Sequence, residues 1–565
     1  WAPIEGGLSG VSLSANWMWA CKSEGEDARL YSAVKAASDF ALALGINIPT
    51  GKDSLSMTQK YPDGKKVYAP GTVIISAVGE VSDIRKAVSP VLNPSLSSAL
   101  LYINMSRTAL TLGGSSAAQA LGEQGGAAPD VASAAYFADA FAAVQALIEN
   151  GMVLAGHDVS SGGLVTTLLE MTFANIGGGL EVDLTPLGAL NTALFAENPA
   201  LVLQVEDVVR VKEVLHSYGV EAVAIGCPTQ VRTVRLFHNG QKYKLSIDEL
   251  RDVWYTPSYL LDRRQSGEEQ AKARFENYKN QPICYRLPQH FTGAFAEYGV
   301  DPRRRTATGI RAAVIREKGS QCERETAWAL HLAGFDVKDV HMTDLVSGTE
   351  TLEDVNMVVF VGGFSNSDVL GSAKGWAGAF LYNPKAKQAL ESFYARPDTL
   401  SLGICNGCQL MVELGLITPS DGQKPRMLHN DSRKFESAFV GVEVPQNNSV
   451  MLGSLSGAAL GIWVAHGEGK FALPLGVESY NVALRYAYDA YPANPNGSPG
   501  AVAAICSADG RHLAMMPHPE RTIHPWTCAY LPLLNRSDEV TPWIEAFVNA
   551  KKWVEKKLGK APQPC

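Results

Sequence analysis

The stretch Thr399-Leu400-Ser401-Leu402-Gly403-Ile404-Cys405-Asn406-Gly407-Cys408-Gln409-Leu410-Met411 decides how the second half of this 565-residue chain is read. A short apolar run ends near Gly403, Cys405 follows, and a helix-like run of Leu, Met and Val opens after Gly407. That order predicts a sharp strand-to-helix turn carrying a nucleophile, with glycines where strained backbone packs against backbone. A thiol at the start of a helix also feels the positive end of the helix dipole, which favours thiolate. Cys405 and Cys408 also form a C-x-x-C pair, the pattern of half a zinc site or of a redox couple. No second C-x-x-C or C-x-x-H pair completes a zinc site, so Cys408 reads as a small apolar residue on the packed face of the helix.

A thiol nucleophile needs a base, and the base needs an orienting group. Downstream, Leu513-Ala514-Met515-Met516 leads into Pro517-His518-Pro519-Glu520-Arg521. A strand there delivers His518 to a loop whose prolines fix its direction. Glu520, two residues on, is placed to bind the other imidazole nitrogen and set the tautomer. Acyl transfer also needs oxyanion donors. The run 355–361 reads as a buried strand ending in Gly362-Gly363-Phe364-Ser365, where backbone N–H groups near Gly363 and the amide of Asn406 would converge. An ordinary strand-end turn is the competing reading of that glycine pair. Cys322 is a second candidate thiol, weaker because no strand-turn-helix elbow precedes it.

Composition bounds the rest. A length of 565 residues suits three or four domains, and 46% hydrophobic with 19% charged residues is ordinary globular composition. A formal charge of −8 argues against generic nucleic-acid binding, and Arg303-Arg304-Arg305 reads as a solvated link. No apolar run approaches membrane-spanning length. Nine scattered cysteines without framework spacing point to a reducing compartment. The start at Trp1 is neither a methionine nor a signal peptide, which suits a fragment or a processed chain.

In chain order, residues 1–95 alternate strand and helix signals of an α+β subdomain: strands near 13–18, 45–49 and 73–78, and a helix over 26–44. Gly51-Lys52-Asp53-Ser54 reads as a polar loop in which Lys52 could meet a phosphate. Residues 96–245 form a second subdomain, with a strand at 100–104, a glycine-rich loop from Gly113 and an amphipathic helix over 132–149. There the run His157-Asp158-Val159-Ser160-Ser161-Gly162-Gly163 reads as a glycine-bearing loop between strand and helix. Its carboxylate can take Mg²⁺ and Ser160 can reach a phosphate oxygen; the competing reading is that one of them caps the helix. Residues 246–307 read as a helical connector and irregular linker. From residue 308 to 565 a βαβα pattern predicts a doubly wound α/β sheet with its site at strand carboxyl ends.

Three motifs now stand together: Gly403-Ile404-Cys405-Asn406-Gly407-Cys408-Gln409, Gly362-Gly363-Phe364-Ser365 and Met516-Pro517-His518-Pro519-Glu520-Arg521. They resemble the class I glutamine amidotransferase triad in the form found in the phosphoribosylformylglycinamidine synthase family. Asp368-Val369-Leu370-Gly371, His429-Asn430-Asp431-Ser432, His466-Gly467-Glu468-Gly469 and Asn494-Pro495-Asn496-Gly497 add to the match. Upstream Ser14-Ala15-Asn16-Trp17-Met18, Gly51-Lys52-Asp53-Ser54 and His157-Asp158-Val159-Ser160 extend it over nearly the whole chain.

The resemblance implies a glutaminase with Cys405, His518 and Glu520 as catalytic residues and oxyanion groups at Gly363 and Asn406. It implies the second half of a duplicated synthetase domain ahead of it, with ATP or ADP and Mg²⁺ as cofactors, Asp158 as metal ligand and Ser160 as nucleotide contact. The family often carries an acidic residue where this chain has Ser161, so the local charge differs. The implied reaction is ATP-dependent conversion of formylglycinamide ribonucleotide to its amidine with ammonia from glutamine, a step of purine biosynthesis. The implied partner is an N-terminal half of the same polypeptide, and the implied location is the cytoplasm, or an organelle if a targeting segment precedes Trp1. From the residues alone, a stand-alone Cys-His-Glu hydrolase or a noncatalytic fragment stays open.

Overall fold

The structure is a computed structural model that describes residues 1–418, 423–532 and 538–560. The chain divides into two compact units, Trp1–Trp254 and Tyr255–Cys565.

The first unit holds two sheets. In the smaller one, strand Val11–Met18 lies between Asn47–Ser54, parallel to it, and Thr72–Gly79, antiparallel. Helix Glu26–Leu44 supplies the crossover that a parallel pair requires, and it stops at Gly45, whose φ is +70°. The run Gly51-Lys52-Asp53-Ser54, expected to be a loop, instead continues a strand, pairing with Ala15 to Met18. Gly51 explains the difference: any Cβ there would stand 2.0 Å from the Ala15 carbonyl oxygen. Lys52 turns its ammonium to Ser54 Oγ at 2.8 Å. Ile74, Ile75 and Val78 on the outer strand are exposed.

The larger sheet has seven strands in the order Gln241–Ser246, Thr233–His238, Gly179–Asp183, Val223–Thr229, Ala99–Asn104, Ala200–Val205, Ala155–Val159. The period of two along Ala99–Asn104 shows why both faces are covered. Leu101 and Ile103 pack with Ala140, Leu147, Val211 and Leu215 from helices Ala134–Glu149 and Val208–Ser217. Leu100 and Tyr102 face the other way, towards Leu164, Leu168 and Met171 of helix Gly163–Phe173. Ala155–Val159 is an edge strand, so His157 and Asp158 lie in the sheet and only residues 160–162 turn into the helix.

Helix Ile247–Ser266 runs across the division between the units. Part of the stretch read as linker is packed: Phe291, Tyr298 and Val300 are buried in the core of the second unit. That unit is organised on nine strands, in the order Asp336–His341, Arg311–Arg316, Met357–Phe360, Leu400–Ile404, His512–Met515, Val502–Cys506, Asn481–Tyr486, Glu436–Glu443, Ala459–His466. The first five are mutually parallel and the rest join antiparallel. Leu400–Ile404 sits mid-sheet with every residue buried, its one polar side chain, Ser401, being satisfied by Tyr394 and His512. Its Leu400, Leu402 and Ile404 each contribute about 1.5–3 kcal/mol by burial. Helix Lys374–Tyr382 was hidden in the sequence by two glycines, Gly375 and Gly378; the buried Trp376 and Phe380 hold it against Phe360 at ring separations of 6.1 and 6.0 Å.

Candidate active site

The elbow forms because two glycines let two layers touch. A Cβ on Gly407 would stand 2.0 Å from the Phe360 carbonyl oxygen, and one on Gly403 would stand 2.5 Å from the Gly407 oxygen. Helix Asn406–Glu413 therefore lies directly on its strands, and the turn before it is forced at Cys405, whose φ of 51° and ψ of −104° are strained for a residue with a side chain. Cys405 is buried, and its thiol donates to the Ala465 carbonyl at 3.4 Å. Cys408 is fully buried on the packed face of the helix, and burial followed by the neighbouring Cys405 pushes its thiol pKa well up.

Sheet register explains how a histidine far along the chain meets this cysteine. Strands Leu400–Ile404 and His512–Met515 are parallel neighbours with Ile404 opposite Met515, and the Cys405 amide donates to the Met515 carbonyl at 2.9 Å. Both segments thus leave the sheet at the same edge. His518 is then held from the other side, its backbone N–H donating to Trp463 O at 2.9 Å. Its Nδ1 and Glu520 Oε1 are 2.6 Å apart, with both side chains almost wholly buried.

Burial alone would lower the His518 pKa. The Glu520 carboxylate and the side chains of Cys322 and Cys405 outweigh it and hold the pKa well above the ordinary histidine value. Nε2 is buried and makes no hydrogen bond among the described residues, while the Cys405 thiol turns to Ala465. The Cys405 side chain nonetheless acts on the imidazole, and catalytic hydrogen bonds are commonly loose before substrate arrives.

Gly362 marks the centre. A Cβ there would stand 2.9 Å from His518 Cε1, 3.4 Å from Cys405 Cβ and 3.7 Å from Cys322 Sγ. Gly363 follows with φ +111°. The bridge through this segment uses the Gly362 carbonyl (from Gln321 N, 2.8 Å) and the Phe364 amide (to Gly319 O, 3.0 Å), and leaves the Gly363 amide outside the ladder. Asn406 opens the helix, so its N–H has no intrahelical partner. Its side-chain Oδ1 accepts from the Ser365 amide at 3.3 Å, tying the Gly362–Gly363 strand end to the elbow.

The sequence reading quoted the His466–Gly469 run and named Cys322 as a weaker candidate thiol, but gave neither a place beside the nucleophile and its base. The first is a wall over the thiol, formed where strand Ala459–His466 ends: Ala465 supplies the carbonyl, and Gln409 Nε2 donates to Glu468 O at 2.7 Å. His466 in that wall is buried with neither ring nitrogen hydrogen-bonded among the described residues. Burial, then the charge of His518, push its pKa down to about 3. The dense His-Gly-Glu-Gly run after a strand was the available signal. The second is Cys322, whose Sγ lies 4.0 Å from His518 Nδ1 and 2.8 Å from the Arg521 guanidinium that donates to it. Only the fold brings those groups together.

In the first unit, Asp158 and Ser160 lie in order on the edge strand and the turn, but they are open. The Asp158 side chain is 57% exposed and accepts from Trp1 Nε1 at 3.3 Å. The turn is braced from below: Glu197 Oε1 accepts from the amides of Gly162 and Ser116, both at 2.8 Å. Those bonds outweigh burial and lower the Glu197 pKa. As a Mg²⁺ site the donor set is partial. Such an ion is commonly held by one or two carboxylates together with phosphate oxygens. Asp158 fits as one of them, and no group of three converging acidic, His or Cys ligands forms here among the described residues.

Comparison with known proteins now bears on this geometry. Residues 309–554 match the family described as CobB/CobQ-like glutamine amidotransferase domain, residues 1–80 the FGAR-AT PurM_N-like domain, and residues 99–239 the C-terminal domain of AIR synthase related protein. Over 98% of its length the chain is 40% identical to a probable phosphoribosylformylglycinamidine synthase, chloroplastic/mitochondrial, of Arabidopsis thaliana, covering 41% of that protein. It is equally 40% identical, over 97% of its length, to phosphoribosylformylglycinamidine synthase of Homo sapiens, covering 43% of it. Over nearly its whole length the chain is thus similar to phosphoribosylformylglycinamidine synthases, and it carries a glutamine amidotransferase domain. It spans less than half the length of these relatives. Among solved structures, one titled "Structure of PurLQS from Thermotoga maritima" is 25% identical over 44% of this chain and 99% of that one, with a TM-score of 0.34. This chain combines an amidotransferase domain with synthetase-like domains, and no helix among the described residues is long and apolar enough to cross a membrane.

Proposed function

We propose that the second unit hydrolyses glutamine and that the whole protein uses the ammonia to convert formylglycinamide ribonucleotide to its amidine at the expense of ATP. The observation that carries the glutaminase reading is the buried 2.6 Å contact of His518 Nδ1 with Glu520, beside a cysteine on a strained strand-to-helix turn. Cys405 Sγ attacks the side-chain amide carbon of glutamine. His518 Nε2, its tautomer fixed by Glu520, holds the thiol proton and passes it to the departing ammonia. The amides of Gly363 and Asn406 receive the oxyanion; losing one such donor costs about 3–4 kcal/mol of transition-state stabilisation in comparable sites. Water then resolves the glutamyl thioester by the reverse proton path. Delivery of ammonia without passage through bulk water keeps it from becoming ammonium, which is no nucleophile.

The same reading assigns the first unit to the synthetase, with Asp158 offering a Mg²⁺ ligand and Ser160 a contact to the phosphates of ATP or ADP. Mg²⁺ would neutralise phosphate charge there. The exposed Ile74, Ile75 and Val78 of the smaller sheet support further protein packing on that face, in our reading the N-terminal half of the same polypeptide. The free cysteines support a reducing compartment, which we take to be the cytoplasm or an organelle interior. We take the subdomains as 1–95, 96–245 and 308–565, with a connecting stretch at 246–307 whose Phe291, Tyr298 and Val300 pack into the second unit. The test is covalent trapping: a glutamine-derived electrophile should label Cys405, with mass mapping of the modified peptide, and Cys405→Ala should abolish both labelling and ammonia release. Labelling at Cys322 with Cys405 left free would sink the assignment.

A further inference from the structure

Cys322, His518 and Glu520 form a buried Cys-His-carboxylate group whose ligand atoms all lie within 4.8 Å of one another. Triad chemistry uses only two of the three. Glu520 Oε2 is buried without a hydrogen-bond partner among the described residues, so the carboxylate keeps an acceptor in reserve at this spot. We propose that this group is an inhibitory site for a thiophilic divalent cation such as Zn²⁺, bound on the face of His518 opposite the one that serves the nucleophile.

The distances fit with small movements. Around a tetrahedral Zn²⁺, sulfur and nitrogen ligands sit about 3.6 Å apart, and nitrogen and oxygen ligands about 3.3 Å apart. Cys322 Sγ is 4.0 Å from His518 Nδ1, and Nδ1 is 2.6 Å from Glu520 Oε1. The first pair therefore closes by a few tenths of an ångström and the second opens by somewhat more, the ion replacing the proton between them. The Arg521 N–H that already reaches Cys322 Sγ at 2.8 Å becomes an outer donor to a metal-bound thiolate. Its charge opposes the incoming cation, and the two anionic ligands offset that.

Binding to the imidazolium form releases two protons, one from the Cys322 thiol and one from Nδ1. Nδ1 then ligates the ion and Nε2 keeps its hydrogen. A ring so fixed can neither accept a proton nor give one up to departing ammonia, so the ion would silence the site without touching Cys405. The inhibition rests on the glutaminase reading; the binding does not.

The test uses the full chain and Co²⁺ as an optical substitute. Wild type and Cys405→Ala should each take up one Co²⁺ per chain with a thiolate charge-transfer band. Cys322→Gly should lose that band. Glycine suits this position because Cys322 has φ +73°, so the variant keeps the fold, which circular dichroism checks. In the same variants Zn²⁺ should inhibit ammonia release by wild type, reversibly on chelation, at a concentration at least tenfold below that needed for Cys322→Gly. No band in wild type, or a band that survives Cys322→Gly and disappears in Cys405→Ala, would overturn the proposal. If the band behaves as expected and neither protein releases ammonia, the metal site stands and the glutaminase reading falls.

Discussion

The turn at Cys405 and the turn at Ser160 share a plan: a strand end, glycines, the start of a helix. They differ in everything around it. Cys405, His518 and Glu520 are each at most 4% exposed, and the first two are held by backbone bonds to neighbouring strands. Asp158 is more than half exposed and sits on an edge strand. The contrast follows from the chemistry each turn is suited to. A covalent acyl transfer needs its groups fixed and dry before substrate arrives. A phosphate-and-metal site can be completed by its ligand and by groups from elsewhere, so an open half-site is stable by itself.

The largest effect should come from the carboxylate that fixes the imidazole. Glu520→Gln leaves the shape intact while removing the charge that holds the His518 pKa up. Ammonia release should fall about 10²–10⁴-fold, as when the orienting acid of comparable triads is made neutral. Unchanged turnover would show that the 2.6 Å contact is structural, and the comparison with the open turn would lose its basis.

Next come the glycines, which test whether packing or backbone freedom separates the two regions. Gly407→Ala drives a methyl into a backbone oxygen and should cost about 3 kcal/mol or more of stability. Gly114→Ala, in the loop beside the open turn, meets nothing within 4 Å and pays only for its φ of +75°, about 1–2 kcal/mol. Urea unfolding of the two variants should rank them in that order.

Acid sensitivity sharpens the same contrast. His466 is neutral in the fold with a pKa of about 3, against 6.5 when exposed. Below pH 6.5 the unfolded chain takes up a proton that the folded chain refuses until about pH 3, so the stability held above pH 6.5 is lost as pH falls. At pH 4.5 the loss from this residue alone is about 3 kcal/mol. His466→Gln should narrow the drop in stability between pH 7 and 4.5 by that amount, read from urea midpoints at both pH values. An equal drop in both proteins would mean that His466 is not desolvated.

How much of this was written in the sequence follows from the same difference. The elbow was legible because its strand, glycines and thiol are contiguous and the buried parallel strand carries a single polar residue, Ser401. The His-Pro-Glu unit was legible because base and orienter are two residues apart. Gly51 to Ser54 misled because their polarity outweighed the one feature that makes them a strand, a glycine pressed against Ala15. Asp158 was placed in a loop for the same reason. Cys322 and Arg521 flank His518 only through sheet register and helix placement, which no local pattern reports.

The smallest effect should lie at the open turn. One exposed carboxylate, beside a Gly162 amide already committed to Glu197, gives Mg²⁺·ADP few contacts, and the hydrated ion surrenders its waters reluctantly. At a nucleotide concentration equal to its dissociation constant, the stabilisation is RT ln 2, about 0.4 kcal/mol, and grows only logarithmically beyond. Thermal denaturation of this chain with millimolar Mg²⁺·ADP should therefore show a shift of a few degrees at most, absent in Asp158→Asn. A large shift at micromolar nucleotide would mean that the first unit already holds a complete site, and that exposure is no guide to which of the two turns works alone.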